Sequence, residues 1–282
     1  MPESGSELST AALDAVAYLA RSANRVRILD ALTRGAFTRG ELADRTPASR
    51  TTVDRIVNEF QERGWAERGT DGTYGATTQG EQLMQRFRPF IESVTALQRL
   101  DDALNWLPLQ DLTIGIEHFS DAVVWEPTTD PAETVEFMCD LVRDASRFRV
   151  LADLVPPEQL EVVITDQLQA DQLIVDGVTT DQVLHHIGSR PERADRWRAM
   201  HEAGATVTRH EGPLPCNMWL FDGTVLIKKS SPGPIDESYG VPIVSTDATV
   251  LSWAHEFIDE WMASGTPVTP EVLREDSASG LD

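Results

Sequence analysis

Lysine is nearly missing from this 282-residue chain: Lys228 and Lys229 stand against 22 arginines. Cysteine is as scarce. Cys139 and Cys216 stand alone without CxxC spacing, which excludes a disulfide framework and a thiolate zinc site. No apolar run reaches the ~20 residues that a membrane-spanning helix needs. No charged-then-apolar leader opens the chain, so the expectation is a cytoplasmic protein with no membrane partner. The sequences GxxxxGK, GxGxxG, GxSxG and HExxH do not occur. Phosphate-cradling loops, nucleophile elbows and helical zinc sites therefore lack their defining residues. The expectation is no catalytic residue, no metal and no cofactor.

What is abundant is acid. The chain carries 46 Asp and Glu against 24 Lys and Arg, a net charge of −22. Acid excess with little lysine resembles the composition of proteins from salt-accumulating archaea, whose carboxylates keep the surface hydrated. The charge is unevenly spread. Residues 21–99 hold 13 arginines against 10 acids, whereas residues 100–282 hold 11 basic residues against 33 acids. A nucleic-acid-binding segment joined to an acidic sensor needs that asymmetry. At molar salt the Debye length is ~3 Å, so such a binder relies on short contacts. Those favour arginine's fixed fork over lysine's point charge.

The arginine-rich segment reads as a winged helix-turn-helix over residues 21–84, preceded by a tail and short helix at 1–20. A helix around residues 24–32 places Ile28, Leu29 and Leu32 on one face. Thr38-Arg39-Gly40-Glu41 is a capping box that opens a second helix. Ala48–Trp65 then reads as a recognition helix capped by Thr46 or Ser49. Val53, Val57 and Phe60 form its inward stripe, and Gly64 ends it. Ser49, Arg50, Thr51, Thr52 and Arg55 carry the hydroxyls and guanidinium groups that groove contact requires. Arg39 suits a phosphate clamp. Two short strands, 65–68 and 74–77, flank a Gly-Thr-Asp-Gly-Thr turn, where Arg68, Thr73 and Tyr74 would reach the DNA backbone or minor groove. A second capping box at Thr78–Glu81 starts the next helix. Each arginine taken singly is also readable as a solvated charge paired with a neighbour such as Asp54 or Glu59. Residues 85–107 repeat apolar side chains at spacings of three and four, and Phe87, Ile91, Val94, Leu97, Leu100 and Leu104 form an expected dimerisation seam. Packing on the chain's own core, with Pro89 kinking the helix, is the alternative.

Beyond Pro108 strands and helices alternate, giving an α/β domain over residues 108–264 and an α+β character overall. Strands are expected at 112–116, 122–125, 149–154, 172–175, 205–209, 218–221, 225–228 and 243–245. Helices are expected from Asp130-Pro131-Ala132-Glu133 and over 157–164, 181–187, 191–203 and 248–263. The tail 265–282 reads as disordered. His185 and His186 are adjacent, point apart on a helix and read as surface residues. Trp125 and Trp219 read as core rather than pocket.

Thr51-Thr52-Val53-Asp54-Arg55 followed by Gly64-Trp65 resembles the recognition helix of ArsR- and TrmB-type regulators of archaea. The C-terminal part resembles the effector domain of haloarchaeal regulators, related to the middle domain of the methanogenesis-filament regulator family. It does so through Gly204-Ala205-Thr206-Val207, Leu214-Pro215, Trp219-Leu220-Phe221-Asp222 and Trp253-Ala254. The resemblance covers nearly the whole chain and transfers no ligand residues. It implies a ligand- or signal-responsive transcriptional regulator that binds double-stranded DNA as a homodimer, with a small-molecule effector of unknown site. Distant phospholipase D-like relatives of that fold need a His-x-Lys pair, and none of the six histidines has a lysine two residues on. The rival readings are a constitutive, architectural DNA binder, and an enzyme or protein-interaction module whose winged helix does not bind DNA.

Overall fold

Helix α1, Thr10–Ala20, begins where the Ser9 hydroxyl accepts from the Ala12 amide at 3.4 Å. Helix α2 follows at Ala23–Arg34 and α3 at Arg39–Arg45. The expected capping box at α3 is formed. The Thr38 amide donates to Glu41 Oε2 at 2.7 Å, and Thr38 Oγ1 accepts from the Glu41 amide at 3.3 Å. Helix α4, Arg50–Glu62, is capped by Ser49 rather than Thr46; Thr46 instead donates its hydroxyl to the Leu42 carbonyl within α3. Gly64, at φ +74°, closes α4 in the left-handed conformation. There the Trp65 amide donates to the Phe60 carbonyl and the Gly64 amide to that of Gln61, a Schellman closure. Strands β1, Ala66–Arg68, and β2, Tyr74–Ala76, form the antiparallel wing. Phe37 adds an antiparallel bridge to Tyr74.

Helix α5 spans Thr78–Leu100 with Pro89 inside it. Its cap is Thr77, one residue before the expected box: Thr77 Oγ1 accepts from the Gly80 amide at 3.2 Å, and the Thr77 carbonyl accepts from the Glu81 amide. Gly80 is demanded by packing, since a Cβ there would sit 2.1 Å from the Trp65 carbonyl oxygen.

The computed structural model describes residues 9–125, 131–230 and 242–269. The chain divides into two compact units, Met1–Ile91 and Glu92–Asp282. The first is built around Leu19, Ile28, Leu29, Leu42, Ile56 and Phe60, all fully buried. The short helix expected before residue 21 is α1, which contributes Tyr18 and Leu19 to this core. The division at Ile91 falls inside the segment read as a linker.

The second unit centres on an eight-stranded sheet. Its strands are β3 (Val123–Val124), β4 (Arg147–Ala152), β5 (Ile174–Thr180), β6 (Thr206–His210), β7 (Cys216–Leu220), β8 (Val225–Lys229), β9 (Ile243–Ser245) and β10 (Thr266–Pro267). The order is β10-β6-β5-β4-β7-β8-β9-β3, with β4, β5 and β6 parallel and every other pairing antiparallel. Helices α6 (Pro131–Asp144), α7 (Glu158–Gln169), α8 (Asp181–Gly188), α9 (Pro191–Glu202) and α10 (Ala248–Ser264) complete it. Asp130 of the expected cap of α6 lies outside the described residues. Side chains alternate across the sheet. Leu151, Met218, Val225 and Ile227 join one core with Trp253 and Phe257 of α10. Phe148, Val175, Trp219 and Leu226 join another with Met138 of α6 and Leu160 and Ile164 of α7.

Two expectations fail here. Leu112–Ile116 forms no strand; Leu112, Ile114 and Ile116 only pack against the α10-side core, which needs alternation but no ladder pairing. The tail does not start at Gly265. Thr266 and Pro267 pair with Arg209 and Thr208, and Val268 is buried.

Charged side chains are locked into this unit by shared hydrogen bonds. Asp222 accepts from the Ser146 amide at 2.9 Å, the Ser146 hydroxyl at 2.8 Å and the Arg147 amide at 2.9 Å, clipping the end of β7 to the start of β4. Burial would raise its pKa, but these three donors hold it below the ordinary carboxylate value. Arg149 on β4 donates Nε to Asp176 of β5 and Nη2 to Asp259 of α10, both at 2.5 Å. Glu161 of α7, with no exposed surface, accepts from Arg193 Nη2 at 2.6 Å, Arg196 Nη1 at 2.7 Å and Trp197 Nε1 at 3.0 Å. Removing one partner of a buried ion pair strands the others, at a cost of about 3–5 kcal/mol. Glu161→Ala is therefore expected to lower unfolding stability by about that much, measured by urea titration. A loss within experimental error would mean that α7 and α9 are not held through this carboxylate.

Candidate nucleic-acid interface

The rotation of α4 about its axis decides what it presents. Val53, Ile56, Val57 and Phe60 are fully buried. Ser49, Arg50, Thr51, Arg55 and Asn58 are left exposed on the opposite side, with Thr52 half-buried. Ser49 Oγ accepts from the Thr52 amide at 3.2 Å and shares a 2.9 Å hydrogen bond with Thr52 Oγ1. Both hydroxyls are thus committed to the cap. Arg50 and Thr51 project from the first turn of α4, where helix amides and the macrodipole favour an anion. Arg50 has no hydrogen-bond or ion-pair partner among the described residues. Arg55 donates Nη1 to Glu59 Oε1 at 2.6 Å, an exposed i,i+4 pair that a phosphate or guanine edge can displace cheaply.

Arg39 is not a free clamp. Its Nη2 donates to Asn58 Oδ1 at 2.6 Å and its Nη1 to Asp54 Oδ1 at 3.3 Å, and its guanidinium lies 4.9 Å from the centre of the Tyr74 ring. It braces α3 against α4 and the wing. Tyr74 corrects the sequence reading outright. It is buried and its backbone exchanges two hydrogen bonds with Phe37, at 2.8 and 2.9 Å, so it cannot reach into a groove. Its ring also lies beneath Arg68, with the guanidinium 5.9 Å from the ring centre. Arg68 itself is exposed. Thr73 is half-buried. Its amide and hydroxyl donate to Asp71 Oδ1 at 3.0 and 2.7 Å, shaping the turn and holding the Asp71 carboxyl below its ordinary value.

Three residues of this surface went unread in the sequence. Asn58 sits three residues after Arg55 and seven after Thr51, a helical spacing that places it on the outward face. Arg45 stacks over Phe37 at 4.6 Å. Arg63 lies over the rings of Tyr18 and Trp65, at 3.9 and 5.4 Å. No periodicity signals such arginine–ring contacts across elements.

Tyr18 ties α1 to α4. The guanidinium groups of Arg25 and Arg63 lie over its ring, 3.8 and 3.9 Å from the centre, and its hydroxyl donates to Glu59 Oε2. Burial and that hydrogen bond push the phenol up to about 12, against the lowering effect of Arg25. The bond from Tyr18, with help from Arg55 and Arg25, holds the Glu59 carboxyl below its usual value.

The expected dimerisation stripe is divided. Phe87 is buried in the first unit's core and Leu100 in the second's, and Leu104 packs against the latter. These three serve the chain's own cores and are withdrawn from a seam. Val94 is half-buried, whereas Phe90, Ile91 and Leu97 are exposed.

In the second unit Trp219 is buried, and the Trp125 ring centre lies 4.9 Å from that of Phe137. On α8, His185 is exposed and His186 half-buried. Among the described residues no cluster of His, Cys, Asp and Glu has metal-holding geometry. No helix among them is long and apolar enough to cross a membrane.

A depressed Glu59 carboxyl stabilises the fold above its unfolded pKa, and this contribution is lost as pH falls through the lower folded value. Tyr18→Phe is expected to cost about 1 kcal/mol at neutral pH, after allowance for partial exposure. The gap from the unaltered chain should narrow as pH falls through the lowered Glu59 value. Urea midpoints at pH 7 and pH 3 measure it, and a constant gap at both would show that Glu59 ionisation is not involved.

Comparison with known proteins gives two family matches. Residues 13–99 match the HVO_A0261 N-terminal domain, and residues 131–264 match the middle domain of the methanogenesis regulatory protein FilR1. No curated protein matches the chain. Among solved structures, TrmBL2, an archaeal chromatin protein described as showing a novel mode of DNA binding, is 14% identical with a TM-score of 0.41. That alignment covers 90% of this chain and 99% of TrmBL2. The O-methyltransferase NcsB1 of neocarzinostatin biosynthesis is 15% identical over 73% of this chain and 84% of its own, with a TM-score of 0.25. The calicheamicin-pathway methyltransferase CalO1 is 18% identical over 73% of this chain and 66% of its own, with a TM-score of 0.23.

Proposed function

Because this chain joins an HVO_A0261 N-terminal domain to a FilR1 middle domain, we propose that it is a DNA-binding transcriptional regulator whose α/β unit senses a signal. The observation that carries the proposal is the face of α4. Arg50, without a partner among the described residues, an exposed Thr51 and a displaceable Arg55 stand at the start of a helix whose opposite side is sealed in a core. A winged helix-turn-helix lays such a helix in the major groove, with side chains near its N-terminus reaching base edges. Arg68 on the wing then meets the adjacent backbone. Arg39 holds α3, α4 and the wing in register.

The protein acts as a homodimer, which would space two α4 helices along the duplex. Phe90, Ile91 and Leu97 supply the apolar contact, and Phe87, Leu100 and Leu104 do not. Its acidic composition fits a salt-rich cytoplasm, where short arginine contacts outlast long-range attraction. An effector shifts the population between two conformations that differ in DNA affinity.

Loss of a bidentate arginine–guanine contact costs about 1–3 kcal/mol. Arg50→Ala is expected to weaken binding to the preferred duplex, found by occupancy mapping, by roughly five- to a hundredfold at matched salt. Arg55→Ala should have a smaller effect, because Glu59 already holds that side chain. Anisotropy titration with labelled duplex measures both. Unchanged affinity in the Arg50 variant would favour a winged helix used for protein contact instead.

A further inference from the structure

The second unit holds a partly open cavity of about 80 Å³ between the sheet and helices α7 and α9. Phe148, Val150 and Trp219 form its sheet wall, and Ile164, Trp197 and Met200 its helical wall. Protein interiors are packed closely enough that voids larger than a water molecule are few. This one exists where β4 and the start of β6 present small side chains, Ala152 and Ala205, to the space.

The polar side chains deep in the wall, Glu161 and Thr179, are already engaged, and the remaining polar lining residues, His201 and Thr269, stand at the rim. Glu161 is saturated by Arg193, Arg196 and Trp197, and the Thr179 hydroxyl donates to the Ala152 carbonyl at 3.0 Å. None of the buried side-chain atoms left without a hydrogen bond belongs to a lining residue. Water needs two to four polar partners to occupy a cavity, and apolar cavities that lack them stay dry and take up small hydrocarbons. Thr269 is exposed, and Val150, Pro156, Trp197, His201 and Val207 are half-buried lining residues. They give the cavity a rim through which a small molecule can pass.

We propose that this cavity is a binding site for a small uncharged apolar molecule no larger than a single ring, for which the walls must widen toward the ~150 Å³ of an apolar cavity that holds benzene. The aromatic walls Phe148, Trp197 and Trp219 offer ring faces, and Met200 is an adaptable side chain that lets the space widen to fit. A carboxylate, phosphate or sugar fits the interior poorly, since away from the His201 rim its hydrogen-bonding groups would be buried against apolar walls. Binding itself stands on the cavity alone; its effect on DNA affinity rests on the regulator reading above.

Benzene is the probe, titrated into the full chain and followed by tryptophan fluorescence and by the shift in Tm. The expected result is a saturable response, at least tenfold weaker with phenol, whose hydroxyl loses its water on entering the apolar interior away from the His201 rim. Ala205→Leu fills the space and should abolish the benzene response while leaving Tm without benzene equal or higher. Ala152→Val does the same with less added volume, should the leucine variant fail to fold. No saturable response in the unaltered chain, or an equal response in a folded filled variant, would overturn the site; so would phenol binding as tightly as benzene. Duplex affinity measured with and without benzene separates the two proposals. Intact benzene binding with unchanged duplex affinity leaves the site standing and counts against the sensor reading.

Discussion

Burial of Val53, Ile56, Val57 and Phe60 is the constraint on which the first unit depends. Four apolar side chains at spacings of three, one and three fix α4 about its own axis to within a fraction of a turn. Everything functional on that helix then follows from arithmetic: Arg50, Thr51, Arg55 and Asn58 must face away. The Schellman closure at Gly64 fixes where the helix stops, and Trp65 enters the same core immediately afterwards. The wing therefore begins at a set distance from the outward face, so helix and wing can act as one surface.

Around this core the arginines have two kinds of employment. Arg25, Arg39 and Arg63 lie against aromatic rings, and Arg25 and Arg39 also meet carboxylates, joining elements that no hydrogen-bond ladder connects. Among the described residues Arg50 and Arg68 meet no carboxylate. In the second unit the same division appears inside the protein. Arg149 stitches β4, β5 and α10 through two aspartates, and Arg193 with Arg196 fastens α9 onto Glu161. These internal contacts among the described residues use planar forks, which make several directed hydrogen bonds at once.

Much of this was legible from residue order. The capping box at Thr38, the Asp-Gly wing turn, the inward stripe of α4 and most sheet strands follow from local chemistry, and they emerged within a few residues. Features set by distant partners did not. Tyr74 sits in a turn-flanking strand and reads as a wing-tip residue, but its bridge to Phe37 draws it into the core. Leu112, Ile114 and Ile116 alternate like a strand because alternation reports one buried face, not a pairing partner. The stripe of α5 is periodic throughout, yet its ends serve two different cores. Thr266 and Pro267 carry no strand signal and pair only because β6 offers an open edge.

Arg39, described above as a brace, also alters how the charge of this surface should be counted. It brings the carboxylate of Asp54 with it, as Arg55 brings that of Glu59, so two of the arginines nearest the helix start are close to neutral as ion pairs. Fewer small cations would therefore be displaced from a duplex than the arginine tally implies. Such a surface trades attraction at a distance for shape and contact at the groove, and its grip would fade only shallowly as brine thickens.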